Sequence, residues 1–533
     1  MSDAPGCFSS LKTLVLRRTP KVHKGSPLAE IIEDASVKES KQTKAVQLES
    51  PTVEPNSTSS PPAYSVIDNG LYRPEVLKTI QTTVDRLDPD LRELGMKIHD
   101  HPELAFHESY AHHQLTSFMS SRGFKVTPRY NGLTTAWRAE FSYGKGGRVL
   151  GVNSEMDALP GIGHACGHNL IAMAGVGVAL AAKAAMEKHG ISGKVVLLGT
   201  PAEEGGGGKI ILIERGAYKD MDVCVMCHPS PGPLHSTSLG SSSALQSITV
   251  EFFGHTAHAA AAPWEGQNAL DAAFLAYSAI SVLRQQIKPT HRVHGIVEGK
   301  NWAPNIIPDY AKMRWMVRAP SKEEVDELRE RVKACFEAAA LATACKVEIK
   351  LGRPHYELVQ NPTLAEGFSA SAKELGVETI PVGTGASTDF GNVTYELPSL
   401  HPGFSIPTEP NGGNHTPAFT NAAGKKEAFD ATMVIIKALA HTGVRALDDD
   451  MFFKAVGDTT KKLFAHSYML FRLEIALRIV AELYSGNMTL NITIGHNFPR
   501  IPIVLFLCNI FSPSSAGCIR CILPRLAVYS HSL

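Results

Sequence analysis

From Tyr72 onward, apolar positions recur every three or four residues in "YRPEVLKTIQTTVDRLDPDLRELGMKIHDHPEL". That spacing predicts helices, with a break at Pro89, because proline has no N–H to give to the ladder. The pattern then shortens. "GRVLGVNSEMDALP" reads as a buried strand running into a loop, and "LIAMAGVGVALAAKAAMEKHG" as an Ala-rich helix stopped by a glycine. "GKVVLLGTPAEEGGGGK" is a second strand opening into a glycine loop, "KIILIERGAY" a helix, and "MDVCVMCHP" a third strand. This β-α-β-α-β alternation predicts a mostly parallel sheet covered by helices, with its reactive loops beyond the carboxyl ends of the strands. The polar clusters fall there: Asp157 to His168, Glu203 with Glu204, and His228.

From about Ser243 the rhythm changes to strand, helix, two strands, helix, strand. The order predicts an α+β unit of ferredoxin-like type inserted into the first domain. After it, "NPTLAEGFSASAKELG" and "EAFDATMVIIKALAHTG" return to the earlier helical style. The chain therefore divides into a disordered segment 1–70, a catalytic domain in two parts (71–242 and 356–450), an inserted lid at 243–355, and an extension at 451–533. Segment 1–70 is rich in Ser, Thr, Pro and Lys and cannot bury a core. The extension, without clear period from about residue 466, is expected to stand outside the folded core. Its run "IPIVLFLCNIF" is shorter than a bilayer needs, and Cys518 and Cys521 lack the second pair a zinc finger requires.

Composition narrows the partners. The 533 residues carry 52 Lys+Arg and 52 Asp+Glu. This balance argues against general affinity for nucleic acid or an anionic membrane. Nine cysteines without a regular framework read as a reducing compartment. The basic start of the chain lacks a continuous apolar core segment. The expected location is therefore the cytoplasm, with mitochondria as the lesser alternative.

The stretch "GIGHACGHNL" sets two imidazoles and a thiol between glycines. Alone, each group is ordinary. Cys166 with His168, Glu203 with Glu204, His228, and the distant His415 together amount to enough donors for two metal ions. They also leave one carboxylate over. Thiolate, imidazole and carboxylate suit zinc, with manganese the alternative. Adjacent carboxylates seldom face the same way, so one can bind metal while the other serves as a general base for hydrolysis. Cys224 and Cys227 form a Cys-x-x-Cys along a strand rather than at a helix start, which favours apolar packing over redox chemistry.

"SEMDALPGIGHACGHNL", "GTPAEEGGGGK", "VCVMCHP", "FFGHTAHAAAAPWEGQNAL", "APNIIPDYAKMRWMVR", "GASTDFGNV" and "NHTPAF" resemble the amidohydrolase branch of peptidase family M20, in order, over residues 75–445. Within it the chain is most similar to the Xaa-Arg dipeptidase type. The resemblance implies an α/β, zinc-exopeptidase-like catalytic domain with a mixed, mostly parallel sheet, and an inserted ferredoxin-like lid and dimerisation domain. It implies Cys166, His168, Glu204, His228 and His415 as ligands for two divalent ions, Glu203 as general base, and Asp157 as the group orienting the metal site. His258 is implied to polarise the scissile carbonyl, often from a dimer partner, while Asn305 and Arg318 bind substrate. His164 shapes the loop.

Two positions depart from the pattern. Asn169 stands where much of the branch has Asp, and Glu155 where more distant relatives carry a metal-binding His. The function implied is metal-dependent hydrolysis of small dipeptides with a basic C-terminal residue by a homodimer. The alternatives are an N-acyl-amino-acid amidohydrolase of hippurate or auxin-conjugate type, and a catalytically inactive binding homologue.

Overall fold

The computed structural model describes residues 71–465, except 381, 382 and 384. The segment before residue 71 and the stretch from 466, including Cys518 and Cys521, lie outside the described residues. In chain order the helices are α1 (Pro74–His99), α2 (Ser109–Ser121), α3 (His168–His189), α4 (Gly208–Glu214), α5 (Ala269–Leu283), α6 (Lys322–Thr343), α7 (Pro362–Glu374), α8 (Phe390–Glu396), α9 (Pro417–Ala423) and α10 (Lys426–Asp448). The strands are β1 (Lys125–Pro128), β2 (Trp137–Tyr143), β3 (Arg148–Glu155), β4 (Gly193–Thr200), β5 (Val223–Val225), β6 (His228–Pro231), β7 (Ser236–Ser238), β8 (Ala244–Phe253), β9 (Arg292–Glu298), β10 (Tyr310–Ala319), β11 (Lys346–Leu351), β12 (Glu378–Ile380), β13 (Ser399–Leu400) and β14 (Gly403–Ile406).

The main sheet has six strands in the order β1-β2-β4-β3-β5-β13. Strands β4, β3, β5 and β13 run parallel, while β1 and β2 add antiparallel pairings at the other side. Alternation along these strands feeds two cores. Leu150, Val152, Val195, Leu197 and Val225 pack towards α1, α3 and α10. Val196, Leu198 and Cys224 pack towards α4 and α8, with Leu212, Phe390 and Val393. Cys227 joins the first core and Cys224 the second, so this Cys-x-x-Cys is split between two apolar environments. Helix α3 is apolar on all sides because it is buried almost throughout between the sheet, α1 and α10. Gly175 lets it approach β3, since a Cβ there would sit 2.2 Å from Ser154 Oγ.

Pro89 does not break α1, which runs unbroken for 26 residues. The stripe Val76, Ile80, Val84, Leu87, Leu91, Leu94 and Ile98 continues past it and is buried. Burying that stripe outweighs the ~3 kcal/mol a proline costs inside a helix. The third strand also differs from expectation. It ends at Val225, and His228 opens β6 in a second sheet of order β12-β7-β14-β6. Met226 N still reaches Leu400 O and His228 N reaches Pro402 O, so two chain segments leave the main sheet together and re-pair as β6 and β14.

Between Ala244 and Leu351 lies a four-stranded antiparallel sheet in the order β11-β8-β10-β9. Numbered within the insert this is 4-1-3-2 with helices after the first and third strands, the ferredoxin-like arrangement. Val250, Phe252, Met313, Trp315 and Val317 face α5 and α6, and Phe336 fills the layer between. Asn268 and Ser321 cap the two helices with their side chains. Entry and exit of the insert run side by side, Leu245 and His355 exchanging both backbone bonds at 2.8 and 2.9 Å.

The extension placed outside the core at 451–533 needs a correction at its start. Residues 450–465 are helical, and Phe452 and Val456 belong to the main core. Asn361 Nδ2 donates to Val456 O at 3.0 Å and to the hydroxyls of Thr459 and Thr460. The apolar residues Met451, Phe452, Phe453 and Val456 carry a helical spacing that the polar "GDTTKK" obscures. Phe452→Ala is expected to lower unfolding stability by about 3–5 kcal/mol, measured by denaturant titration of the otherwise intact chain.

Candidate metal centre

The loops beyond β3, β4 and β5 converge at the carboxyl end of the sheet. The loop after β3 carries Asp157 and then Cys166, and His168 is the first residue of α3. Gly167, between the two, has φ 77° and touches Pro229, where a Cβ would stand 2.5 Å from the proline ring. Only glycine permits that turn, and the turn sets Cys166 and His168 side by side. After β4, Ala202 adopts φ 56° immediately before the two glutamates. Its N–H is held by the buried carboxylate of Glu108 at 2.8 Å, which also accepts from Phe106 N and Thr135 Oγ1. His415, with φ 66°, precedes the Thr416 cap of α9, and its N–H donates to Ala165 O at 2.8 Å. Non-glycine residues at positive φ are strained, and such strain gathers at functional sites.

These turns gather the donors. Cys166 Sγ lies 3.4 Å from His228 Nε2, and His415 Nε2 lies 3.1 Å from Glu204 Oε1. Two sets of three ligand atoms, Cys166–His168–His228 and Cys166–Glu204–His415, each fall within 4.8 Å of one another. The thiol belongs to both sets. Five residues therefore offer places for two cations sharing one sulfur. His168 Nε2 is buried without a hydrogen-bond partner. Its other ring nitrogen faces Asp157 Oδ1 at 3.1 Å, and His228 Nδ1 faces Pro229 O at 2.8 Å. Each imidazole is thus fixed by one nitrogen and free to bind with the other, as metal-binding histidines are. This donor set and the orphaned nitrogen fit two divalent metals. Asp157 also accepts from Glu204 N at 2.9 Å through its second oxygen, so one carboxylate holds both sides of the cage.

The charges are strongly perturbed. Burial acts first against charge on His168, but Glu155 and Asp157 overcome it and hold the imidazole well above its usual range. Burial and the carboxylates of Glu155, Glu204 and Asp389 push Glu203 well above the ordinary carboxylate range. Glu204 goes the other way: burial would raise it, but the His415 contact and His168 lower it. The two neighbours are thus driven apart. Burial lowers His228 and raises the Cys166 thiol. A bound cation would favour the thiolate.

Three residues at the site carry no obvious role in the sequence. Lys209 is fully buried, with Nζ 2.6 Å from Glu155 and 2.5 Å from Asp389. Glu155 sits inside the site, its other oxygen 3.3 Å from His168 Nε2. Glu108 props up the strained Ala202. A lysine after four glycines gives no warning of burial, whereas Glu155 is marked by standing where more distant relatives carry a metal-binding His.

The substrate-side residues divide. Arg318, on β10, donates from Nη1 to Ser387 Oγ across the junction of insert and catalytic domain. Burial lowers its pKa, and the charges of Glu203 and Glu204 oppose that, so it looks towards the cage. Its Nε lies 3.3 Å from His294 Nε2. His258 and Asn305 are exposed and contact their own insert instead: His258 Nδ1 accepts from Ala260 and Ala261, and Asn305 O accepts from Ala259 N. His164 is buried outside both donor sets. Asn169 donates to Ala423 O, tying α3 to α9.

Residues 151–440 match the family described as Peptidase family M20/M25/M40. The chain is 44% identical over 400 residues to the Xaa-Arg dipeptidase of Mus musculus, covering 71% of this chain and 90% of that protein. It is 30% identical to a p-aminobenzoyl-glutamate hydrolase polypeptide of Escherichia coli, over 57% of this chain and 66% of that one. A Bacillus subtilis crystal structure described as a dinuclear metal-binding peptidase of the M20 family superimposes with a TM-score of 0.53 at 21% identity, over 69% of this chain and 99% of the other. That last likeness speaks for the fold. The chain belongs to peptidase family M20 and is a hydrolase acting on peptide or amide bonds. Asp157→Ala is expected to weaken metal retention roughly 10–100-fold, measured as metal content after dialysis against graded chelator.

Proposed function

We infer that the chain is a metal-dependent dipeptidase that hydrolyses dipeptides ending in a basic residue. The observation that carries this reading is the cage itself: two three-ligand sets sharing Cys166, with the Glu203 carboxylate grouped against His168 and Glu204. Identity with the mouse Xaa-Arg dipeptidase supports the substrate class. Thiolate and imidazole donors favour zinc, with manganese the lesser choice.

Two divalent cations bound in the sets would polarise the scissile carbonyl and acidify a water. The residues of the chain do the rest. Glu203, whose burial and acidic neighbours raise its affinity for a proton, takes a proton from the attacking water as its oxygen bonds to the carbonyl carbon, and returns that proton to the leaving amine as the C–N bond breaks. Asp157 keeps His168 in one tautomer and fixes the backbone at Glu204. Arg318 meets the substrate carboxylate, held ready by Ser387. His258 and Asn305 lack contacts to the cage residues, and this supports a homodimer joined through the insert. In it, His258 of the partner subunit would stabilise the oxyanion and Asn305 of the partner subunit would hold the substrate. The five described cysteines are all unpaired, which supports a cytoplasmic setting.

A second reading keeps the chemistry and changes the substrate to an N-acyl amino acid. It is favoured by the identity with the p-aminobenzoyl-glutamate hydrolase polypeptide, and Arg318 would serve either substrate. A panel of Xaa-Arg and Xaa-Lys dipeptides against N-acyl amino acids separates the two: the dipeptides should show the higher kcat/KM, and the reverse order would reject the first reading. Glu203→Gln should keep its metal and lose roughly 100- to 10,000-fold in kcat. Arg318→Met should raise KM roughly 10–100-fold, since a hydrogen bond to a charged group is worth about 1.5–3 kcal/mol. Steady-state kinetics with metal content measured on the same samples checks both.

A further inference from the structure

Below the cage lies a second cluster, of which the hydrolytic reading uses Glu203 alone. Glu155, Glu203 and Asp389 each place a carboxylate oxygen within 4.8 Å of the others, and all three are buried. Such a trio could itself hold a hard cation. Lys209 stands in it, 0% exposed, with its ammonium on Asp389 Oδ1 and Glu155 Oε1. Asp389 Oδ2 accepts the Lys209 backbone N–H at 2.9 Å, so the start of α4 and the start of α8 are locked together through one lysine. The Glu155 contact is a close charge pair at 2.6 Å. It holds one Glu155 oxygen, and the other stays beside His168 Nε2.

A buried ion cluster is poor evidence for a stabilising role, because well-packed apolar residues would serve stability as well. The position beside the ligand nitrogen of His168 gives this cluster a different use. We propose that Lys209 is a positioning residue of the metal centre: its ammonium fills the carboxylate cage of Glu155, Glu203 and Asp389, pins Glu155 beside His168, and bars a further cation from that cage. The proposal rests on the dinuclear reading above. Lys209 touches no substrate in this account. It acts through Glu155 by fixing which oxygen faces the cations and how much negative charge lies beneath them.

The test measures metal stoichiometry and affinity by elemental analysis and chelator competition on the intact chain. The folded state is checked by circular dichroism and the unfolding transition. The native protein should hold two zinc ions. Lys209→Met should take up an additional equivalent when dialysed against manganese, and its zinc affinity should change roughly 10–100-fold, as for other groups that orient metal ligands. The double variant Lys209→Met/Glu155→Gln removes both charges of the pair and should return to two ions, giving a non-additive cycle. Folded Lys209→Met with two ions at native affinity would overturn the proposal, as would a double variant that keeps the extra ion. If Lys209→Met does not fold, Glu155→Gln alone decides, since it keeps the Lys209–Asp389 pair. The proposal requires its zinc affinity to change within the same range, and native affinity in that variant rejects it. A native chain that binds no metal would overturn this proposal and the dinuclear reading together, whereas native stoichiometry in every variant would overturn this one alone.

Discussion

Four carboxylates, those of Glu155, Asp157, Glu203 and Asp389, are buried within one small region at the end of the main sheet. Stripping a carboxylate of water costs several kcal/mol unless a cation or strong donors replace the solvent. Lys209 compensates two of them, and His168 with the Glu204 N–H compensates Asp157. The remainder is left for whatever enters the Cys166-centred sets. The unequal neighbouring glutamates, the orphaned His168 nitrogen and the raised Glu203 follow from that excess of buried negative charge.

The scaffold exists to create the excess. Parallel strands β3, β4 and β5 end on one edge, so loops distant in sequence open towards a single point. Glycine at 167 and positive φ at Ala202 and His415 then bring the donor side chains together, with His415 on the exposed side. The price is local strain, sustained by buried props such as Glu108. The insert contributes differently. Its helices face their own core, leaving the opposite sheet face to carry Lys312, Arg314 and Arg318. Arg314 and Lys312 are satisfied by Glu298. Arg318, near the junction with the catalytic domain, reaches Ser387 and feels Glu203 and Glu204.

Much of this was readable in the residues. Alternating short strands and long helices implied the α/β sheet, and the ferredoxin-like insert followed from element order alone. The Cys-x-His pair, the double glutamate and two further histidines brought the two donor sets together on paper. What sequence could not show was sharing: that Cys166 lies in both sets depends on the Gly167 turn, a matter of backbone angle. Lys209 and Asp389 were invisible because charged residues are ordinarily solvated, and only the packing of α4 against α8 reveals burial. Pro89 misled because a local rule met a long buried stripe. The start of the extension misled because its apolar residues lie among threonines and lysines. His228 was placed on the wrong element because nothing in "CVMCHP" shows that two segments leave one sheet and re-pair in another.

The claim on which all else rests is that the Cys166 thiol would be a ligand of the metal site. X-ray absorption of the zinc-loaded chain measures it most directly. The account predicts sulfur at about 2.3 Å from zinc at two zinc ions per chain, alongside nitrogen and oxygen neighbours, and loss of the sulfur signal in Cys166→Ser. A zinc shell without sulfur, or one unchanged by that substitution, would contradict it.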